Sequence, residues 1–299
     1  MLDIISVGPG EAVLLTDDAK QAIDRADAVW CAARHAVLVP PEKARPLSPL
    51  EGAIEQMRLS SDAGQSAAVL VSGDAGLYSL LEMLKRKIGG EYLRVHPGVS
   101  ALQLFAARLG VSWQDAKILS AHGRALSESA LCHAVRTHRQ TFCFLDAAHN
   151  PAWVRESLNL GGLENVRLFV GERLSYPDER TEAYDPDATY DPLCMAYIEN
   201  DAPESGLPPV GLSDEAFIRG KTPMTKRDVR ALVVSALHLK PNGVVWDIGA
   251  GTGSVSVECA RQCPLGEVYA VEMKDEALDL IRRNAERFHA LNLRVVPGR

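Results

Sequence analysis

Leu2-Asp3-Ile4-Ile5-Ser6-Val7-Gly8-Pro9-Gly10 opens the chain as a short apolar run broken at once by a tight turn. A run of that kind reads as a buried strand. Leu14-Leu15-Thr16 follows, and the Thr16 hydroxyl can cap a helix whose first turn carries Asp17 and Asp18. Ala19, Ala22, Ile23 and Ala26 line one face of that helix. Residues 28–32 and 67–71 are further apolar strands, the latter ending in Ser72-Gly73-Asp74-Ala75-Gly76. Leu77 to Lys87 reads as helix and residues 92–95 as strand. His96-Pro97-Gly98 then turns into a helix starting near Ser100. The recurrence of strand, glycine turn and helix predicts an α/β fold with at least partly parallel strands.

Beyond Gly110 the pattern loosens. Residues 118–120, 141–145 and 166–170 read as strands of a second sheet. The proline-rich segment after Asp185 reads as an edge strand near Cys194 to Ile198, then a linker over 201–210. A new unit starts with a helix from Val229 to Leu239, stopped by Lys240-Pro241-Asn242-Gly243. Val244 to Ile248 reads as a buried strand, 254–261 as helix, 267–271 as strand, 276–290 as amphipathic helix and 294–296 as a third strand. The expected organisation is a domain over 1–200 (subdomains about 1–110 and 111–200), the linker 201–210, and a domain over 211–299.

A chain of 299 residues can bury two cores. Its formal net charge of -7 argues against general nucleic-acid binding. An acidic ligand would therefore need a locally basic pocket. Arg219, Lys221, Lys226 and Arg227 form one basic cluster, and Arg136, His138 and Arg139 a weaker one; a solvated face is the bland alternative for both. The six cysteines form no C-x-x-C pair and nothing has a zinc spacing, so reduced thiols, no metal and a cytoplasmic setting are expected. No apolar run is long enough to span a bilayer, and the start lacks the pattern of a secretory signal.

Asp247-Ile248-Gly249-Ala250-Gly251-Thr252-Gly253 is the sharpest motif, with Glu272 at the end of the next strand placed to meet ribose hydroxyls. A dinucleotide loop reads G-x-G-x-x-G and seats a pyrophosphate on a helix N-terminus. Here the third glycine comes one residue early, which resembles motif I of Rossmann-like methyltransferases. The rival readings are a nicotinamide-dependent oxidoreductase, a glycine turn without a ligand, and a module that binds cofactor or tetrapyrrole without turnover.

The N-terminal loops are weak singly and specific together: V-G-P-G with L-L-T, then V-S-G-D-A-G-L-Y-S, then H-P-G-V-S-A. Their order resembles the tetrapyrrole methylase family, the class III methyltransferases, and the likeness continues through Ser120-Ala121-His122-Gly123-Arg124 and Val170-Gly171-Glu172-Arg173-Leu174. Ala75 departs from the proline many relatives carry. The resemblance implies a two-subdomain tetrapyrrole methylase fold followed by part of a Rossmann-like methyltransferase domain, with S-adenosyl-L-methionine as cofactor.

Carried over by motif, the first cofactor site would comprise Pro9, Ser72, Gly73, Asp74, Leu77, Ser100 and Ala101, with a further contact near Phe144 or Leu145. The second would comprise Thr225, Gly249, Ala250, Gly251, Thr252, Gly253 and Glu272. His122, Arg124, Lys221, Lys226 and Arg227 become candidates for substrate carboxylates, while Glu172 and Arg173 could be an ordinary ion pair. Taken over both domains in this order, the resemblance implies a small-molecule corrin precursor, precorrin-6Y, methylated at meso carbons 5 and 15 with loss of the ring C acetate carboxyl. Nucleic acid and membrane are not expected partners; a homodimer through the N-terminal domain is. Only three strands fit between Val244 and Arg299, fewer than a complete methyltransferase sheet holds. The expectation is therefore a truncated form that keeps the carbon 5 site.

Overall fold

Every residue of β1 (Leu2–Ser6) is buried, because the sheet built on it is covered on both faces. The computed structural model describes residues 1–123 and 125–298. Along this first stretch β1 is followed by α1 (Asp17–Arg25), β2 (Ala28–Cys31), β3 (Ala44–Pro46), α2 (Leu50–Asp62), β4 (Ala67–Val71), α3 (Leu81–Ile88), β5 (Leu93–His96) and α4 (Ala101–Leu109). The strands form one sheet in the order β3-β2-β4-β1-β5, with parallel pairing throughout. Side chains alternate between its faces. Leu2, Ile4, Val69 and Val71 pack with Ile54, Met57 and Leu84 on one side, and Ile5, Val7 and Leu70 with Ala19, Ala22 and Ile23 on the other. Two covered faces explain why these strands are continuous apolar runs rather than alternating ones.

Caps set the helix limits. Thr16 accepts from the Ala19 N–H at 3.1 Å, as its sequence position predicts. The helix expected from Leu77 starts only at Leu81, because Tyr78 takes a left-handed backbone (φ 50°) that no helix continues.

One charged group lies inside this apolar frame. Asp3, on β1, is 1% exposed and faces Arg94 across the β1–β5 ladder. It accepts two parallel hydrogen bonds from the Arg94 guanidinium (2.6 and 2.9 Å) and lies 3.1 Å from His96 Nε2. His96 Nδ1 in turn meets Asp18 at 2.5 Å. Burial alone would raise the Asp3 pKa, but the hydrogen bonds and charges of Arg94 and His96 outweigh it and hold the carboxyl below the usual carboxylate range. A depressed folded-state pKa gives stability that is complete above the unfolded value, ~3.9, and is lost as pH falls through the folded one. Asp3→Asn should therefore cost about 1–3 kcal/mol near neutrality and flatten the acid limb of stability. Urea midpoints between pH 3 and 7 test this; parallel profiles for the two proteins would refute it.

The second stretch runs β6 (Lys117–Ser120), α5 (Glu128–Thr137), β7 (Gln140–Phe144), α6 (Pro151–Leu160), β8 (Arg167–Glu172), β9 (Arg180–Ala183) and β10 (Cys194–Glu199). These strands form a sheet in the order β6-β7-β10-β8-β9. The strand read as an edge near Cys194 is thus β10, an interior strand buried from Cys194 to Ile198. The prolines that suggested an edge, Pro192 and Pro203, flank it without interrupting its ladder.

The last elements are α7 (Arg227–Ala236), β11 (Val244–Ile248), α8 (Ser254–Gln262), β12 (Glu267–Glu272), α9 (Asp275–Arg287) and β13 (Leu293–Pro297). β11, β12 and β13 make a parallel three-stranded sheet. β11 is not the buried strand the sequence suggests: Val244, Trp246 and Ile248 are 64, 61 and 66% exposed. Among the described residues no strand pairs with its outer edge, and Trp246 stacks only on Tyr269 of β12, 4.6 Å between centroids. By compactness the chain divides into two units. The first holds Met1–Gln114, Val170–Glu182 and Thr189–Met195, and the second the rest of the described chain.

Candidate functional site

The chain leaves β1 toward β2 on one side and leaves β4 toward β5 on the other. Connections that part in this way open a crevice at the carboxyl ends of β1 and β4, the usual ligand position in a parallel sheet. The three glycine loops predicted to bind cofactor meet there. Gly8 and Gly73 exchange backbone hydrogen bonds (3.2 and 2.6 Å). Both have positive φ, 65° and 68°, a conformation that suits glycine. Asp74 ties the second loop to itself and to the third, accepting from Gly76 N at 2.8 Å and Gly98 N at 3.3 Å. Ser6 accepts from Ala75 N at 2.9 Å, a bond that proline at this position could not make. Gly98 lies so close to β1 that a Cβ there would sit 2.7 Å from Ser6 Cβ.

The chemistry of this cradle decides between ligands. Its N–H groups are largely spent inside it: on Gly8, Gly73, Asp74 and Ser6, and in the reciprocal cap at α4. In that cap Ser100 accepts from Gln103 N (3.2 Å) and Gln103 accepts from Ser100 N (2.8 Å). A diphosphate needs free N–H donors. A sulfonium cation needs none, and lies comfortably among carbonyl and carboxylate oxygens. The residues present fit S-adenosylmethionine. Pro9 is buried and its carbonyl accepts from the Tyr176 hydroxyl at 2.9 Å. Leu77 donates its N–H to the Asp74 carbonyl, 3.1 Å, and Ala101 begins α4 beside Ser100. Seven predicted residues, from Pro9 to Ala101, thus sit on three loops joined at one crevice.

Ser72 has a second set of partners that the sequence did not suggest. Its hydroxyl lies 2.6 Å from Arg34 Nη2 and 2.8 Å from His35 Nε2. His35 is fully buried; burial first, and then the Arg34 charge, push its pKa down to about 4.

The second glycine loop is formed as the motif requires. Gly249, Gly251 and Gly253 all have positive φ, and the N–H groups of Gly249 and Ala250 bond the Val271 carbonyl at 2.9 and 3.0 Å. Glu272 accepts from Gly251 N (3.0 Å), Met273 N (2.8 Å) and Lys274 N (3.1 Å). Burial would raise its pKa, but those backbone bonds and the Lys274 charge hold it low. Its carboxylate therefore shapes the loop. Thr252 is buried, with its hydroxyl unpartnered among the described residues.

Thr225 gives its carbonyl to Arg230 at 2.6 Å. The segment before it lies along the loop, a Cβ on Gly251 falling 3.3 Å from the Pro223 carbonyl oxygen. Arg230 itself, fully buried and paired with Glu258 and Asp214, was not anticipated.

The predicted substrate-binding cations are placed less tightly. Lys221, Lys226 and Arg227 are exposed; Lys226 is 3.8 Å from Asp214 and Arg227 3.4 Å from Asp228. His122 is exposed in the turn after β6, and Arg124 lies outside the described residues. Glu172 and Arg173 do not pair with each other: Glu172 meets Arg180 at 3.0 Å, and Arg173 meets Asp178 at 2.6 Å. Among the described residues no group of His, Cys, Asp or Glu could hold a metal ion, and no helix is long and apolar enough to cross a membrane. All six cysteines are buried, and none is in a disulfide among the described residues.

Comparison with known proteins bears on both loops. The family of Tetrapyrrole (Corrin/Porphyrin) Methylases matches residues 1–185, and a Precorrin methyltransferase domain matches residues 215–299. The chain is 32% identical over 311 aligned residues to the precorrin-6Y C(5,15)-methyltransferase [decarboxylating] of a Sinorhizobium species, covering 99% of this chain and 73% of that one. Two proteins of Salmonella typhimurium are also similar. The cobalt-precorrin-7 C(5)-methyltransferase is 30% identical over 60% of this chain and 88% of its own length. The cobalt-precorrin-6B C(15)-methyltransferase (decarboxylating) is 47% identical over 29% of this chain and 46% of its own. On these matches and on the joined loops of its first unit, the chain belongs to the tetrapyrrole (corrin/porphyrin) methylase family.

Proposed function

We propose that this chain is an S-adenosylmethionine-dependent C-methyltransferase of cobalamin biosynthesis, holding its cofactor in the three-loop cradle and methylating carbon 5 of a reduced corrin precursor, precorrin-6Y or a close congener. The observation that carries the reading is the union of the Pro9, Asp74 and Ser100 loops at the crevice between β1 and β4, with the N–H groups of Gly8, Gly73, Ala75, Gly76, Gly98 and Ser100 already engaged. The bound cofactor supplies an activated methyl group on a sulfonium. The protein's own part is then positional. The Gly8–Gly73 bridge and Asp74 keep the loops from drifting apart, Tyr176 fixes the Pro9 carbonyl, and the buried floor of Ser6, Val7 and Ala75 keeps water from the reacting side. Correct alignment and exclusion of water are the large contributions available to such a transfer, since the meso carbon of the reduced macrocycle is itself nucleophilic.

The second glycine loop supports the carbon 15 and decarboxylation steps less well in this chain. It has a floor, in Gly249 to Gly253 and Glu272, but among the described residues no strand pairs with the outer edge of β11, and its face beside the loop is exposed. The proposal therefore assigns the carbon 5 step alone to this polypeptide. Incubation with the corrin precursor and cofactor carrying a ¹³C methyl tests it by NMR. Label at carbon 5 with the ring C acetate intact is expected; label at carbon 15, or release of carbon dioxide, would overturn the assignment.

A further inference from the structure

Beside the cradle stands a cation that no described residue neutralises. Arg34 follows β2 in a short 3-10 segment (Ala33–Leu38) and is exposed. Its Nη2 donates to Ser72 Oγ at 2.6 Å and its Nε to His35 Nε2 at 3.2 Å. No carboxylate among the described residues comes within ion-pair distance of it. A guanidinium offers five N–H donors in a fixed fork, so two are used and roughly three remain for a ligand.

The support under Arg34 is unusually complete. Because arginine only donates, His35 Nε2 must accept, and the imidazole proton belongs on Nδ1. Nδ1 faces Gly10: a Cβ there would sit 3.2 Å from it and 2.6 Å from the Tyr176 hydroxyl. Nδ1 is buried without a partner among the described residues. The neutral ring, shut in by Gly10 and Tyr176, therefore has little freedom to turn. It holds Ser72 and Arg34 in one arrangement spanning the first loop, the second loop and the end of β2.

Resting on the functional reading above, we infer that Arg34 anchors a side-chain carboxylate of the corrin substrate, and that His35 and Ser72 are positioning residues that aim its guanidinium. An arginine on a rigid base meets a carboxylate through two parallel hydrogen bonds. A macrocycle carrying several acetate and propionate groups offers such partners around its rim. One fixed anchor beside the cradle would set which edge of the macrocycle turns toward the methyl group.

The experiment compares wild type, Arg34→Gln, His35→Leu and the double variant. Corrin affinity is followed by absorbance titration and S-adenosylhomocysteine affinity by calorimetry. Arg34→Gln should weaken corrin binding by about 10- to 100-fold and leave S-adenosylhomocysteine binding within about 2-fold of wild type, on the order of RT in free energy. His35→Leu should weaken corrin binding too, and the double variant should be no worse than Arg34→Gln alone, since His35 acts through Arg34. A methyl-esterified corrin should bind wild type and Arg34→Gln alike. Unchanged corrin affinity in Arg34→Gln with S-adenosylhomocysteine still bound would overturn the anchor and leave the functional reading standing, as would additive losses in the double variant for the role of His35. Failure of wild type to bind either ligand would overturn the functional reading and the anchor together.

Discussion

Arg230→Ala is expected to cost the C-terminal sheet and its helices about 3–5 kcal/mol, the penalty for leaving a buried charge without its partner. Arg230 is fully buried on α7. Its Nε donates to Glu258 at 2.7 Å, Nη1 to Asp214 (3.2 Å) and to the Thr225 carbonyl (2.6 Å), and Nη2 to the Leu212 carbonyl. Phe217 lies against its flat face, 4.6 Å from Cζ. Glu258, 1% exposed, also accepts from Gly211 N and Leu212 N at 2.7 and 3.0 Å. One side chain thus fastens the strap over residues 211–225 to α7 and α8. Without it Glu258 stays buried beside two backbone donors, its ion-pair partner gone.

The consequence reaches the second glycine loop, because Thr222 and Pro223 of the strap lie against Gly251. Hydrogen exchange should speed first in residues 211–225 and then in the loop, and urea unfolding should show the loss in free energy. Arg230→Met with Glu258→Leu should recover part of it, since removing both charges spares the desolvation cost; Gly211 and Leu212 would still lack an acceptor. A stability of Arg230→Ala within about 1 kcal/mol of wild type would be an ordinary surface effect and would sink the argument.

Arg230 also marks where the sequence stops being legible. Three residues into a helix, among Lys226, Arg227 and Asp228, it looks like another solvated charge. Only the return of Leu212, Asp214 and Glu258 to the same spot buries it, and no local pattern records that. His35 escaped for the same reason: one histidine after a strand carries no spacing signal, and its burial comes from Gly10, Ser72 and Tyr176, each distant in sequence. The glycine loops were readable because their constraint is local. A turn that must take positive φ selects glycine whatever packs on it, so Gly8, Gly73, Gly249, Gly251 and Gly253 are visible in the bare chain.

Strand limits were legible where the run was apolar on both faces, as in β1 and β4. They failed in character where burial depended on a neighbour. The prolines around β10 suggest an edge, and the composition of β11 suggests a buried strand, although its outer side has no cover among the described residues. The helices α2, α5 and α6 stand out less in the bare sequence. In α6 the signal was present, since Asn150 caps it by accepting from Trp153 N at 2.9 Å and Pro151 opens it; that pair is the usual mark of a helix start.

Gly98→Ala should separate the cradle from every other explanation of the first unit. The added Cβ would fall 2.7 Å from Ser6 Cβ, 2.9 Å from Ser6 O and 3.1 Å from Ser6 C. Two of these are backbone atoms at the end of the central strand, and Ser6 is held there by burial and by its bond to Ala75 N. β1 is gripped by β4 and β5 on both sides, so the yielding part is the turn before α4. Its movement would stretch the contact between Gly98 N and Asp74, already 3.3 Å, and open the third loop away from the second. Overpacking of this kind costs about 1–3 kcal/mol. If the closed cradle bears it, S-adenosylhomocysteine affinity falls about 5- to 100-fold. Gly52→Ala is the control: it makes the same chemical change inside α2, where the nearest atom to the new Cβ is 3.9 Å away. It should raise stability by about 0.5–1 kcal/mol and leave ligand affinity alone. Calorimetric titration of both variants reads the difference. A Gly98→Ala protein that binds S-adenosylhomocysteine like wild type would mean that the ligand does not depend on the three loops being closed on one another, and the site would have to be sought elsewhere.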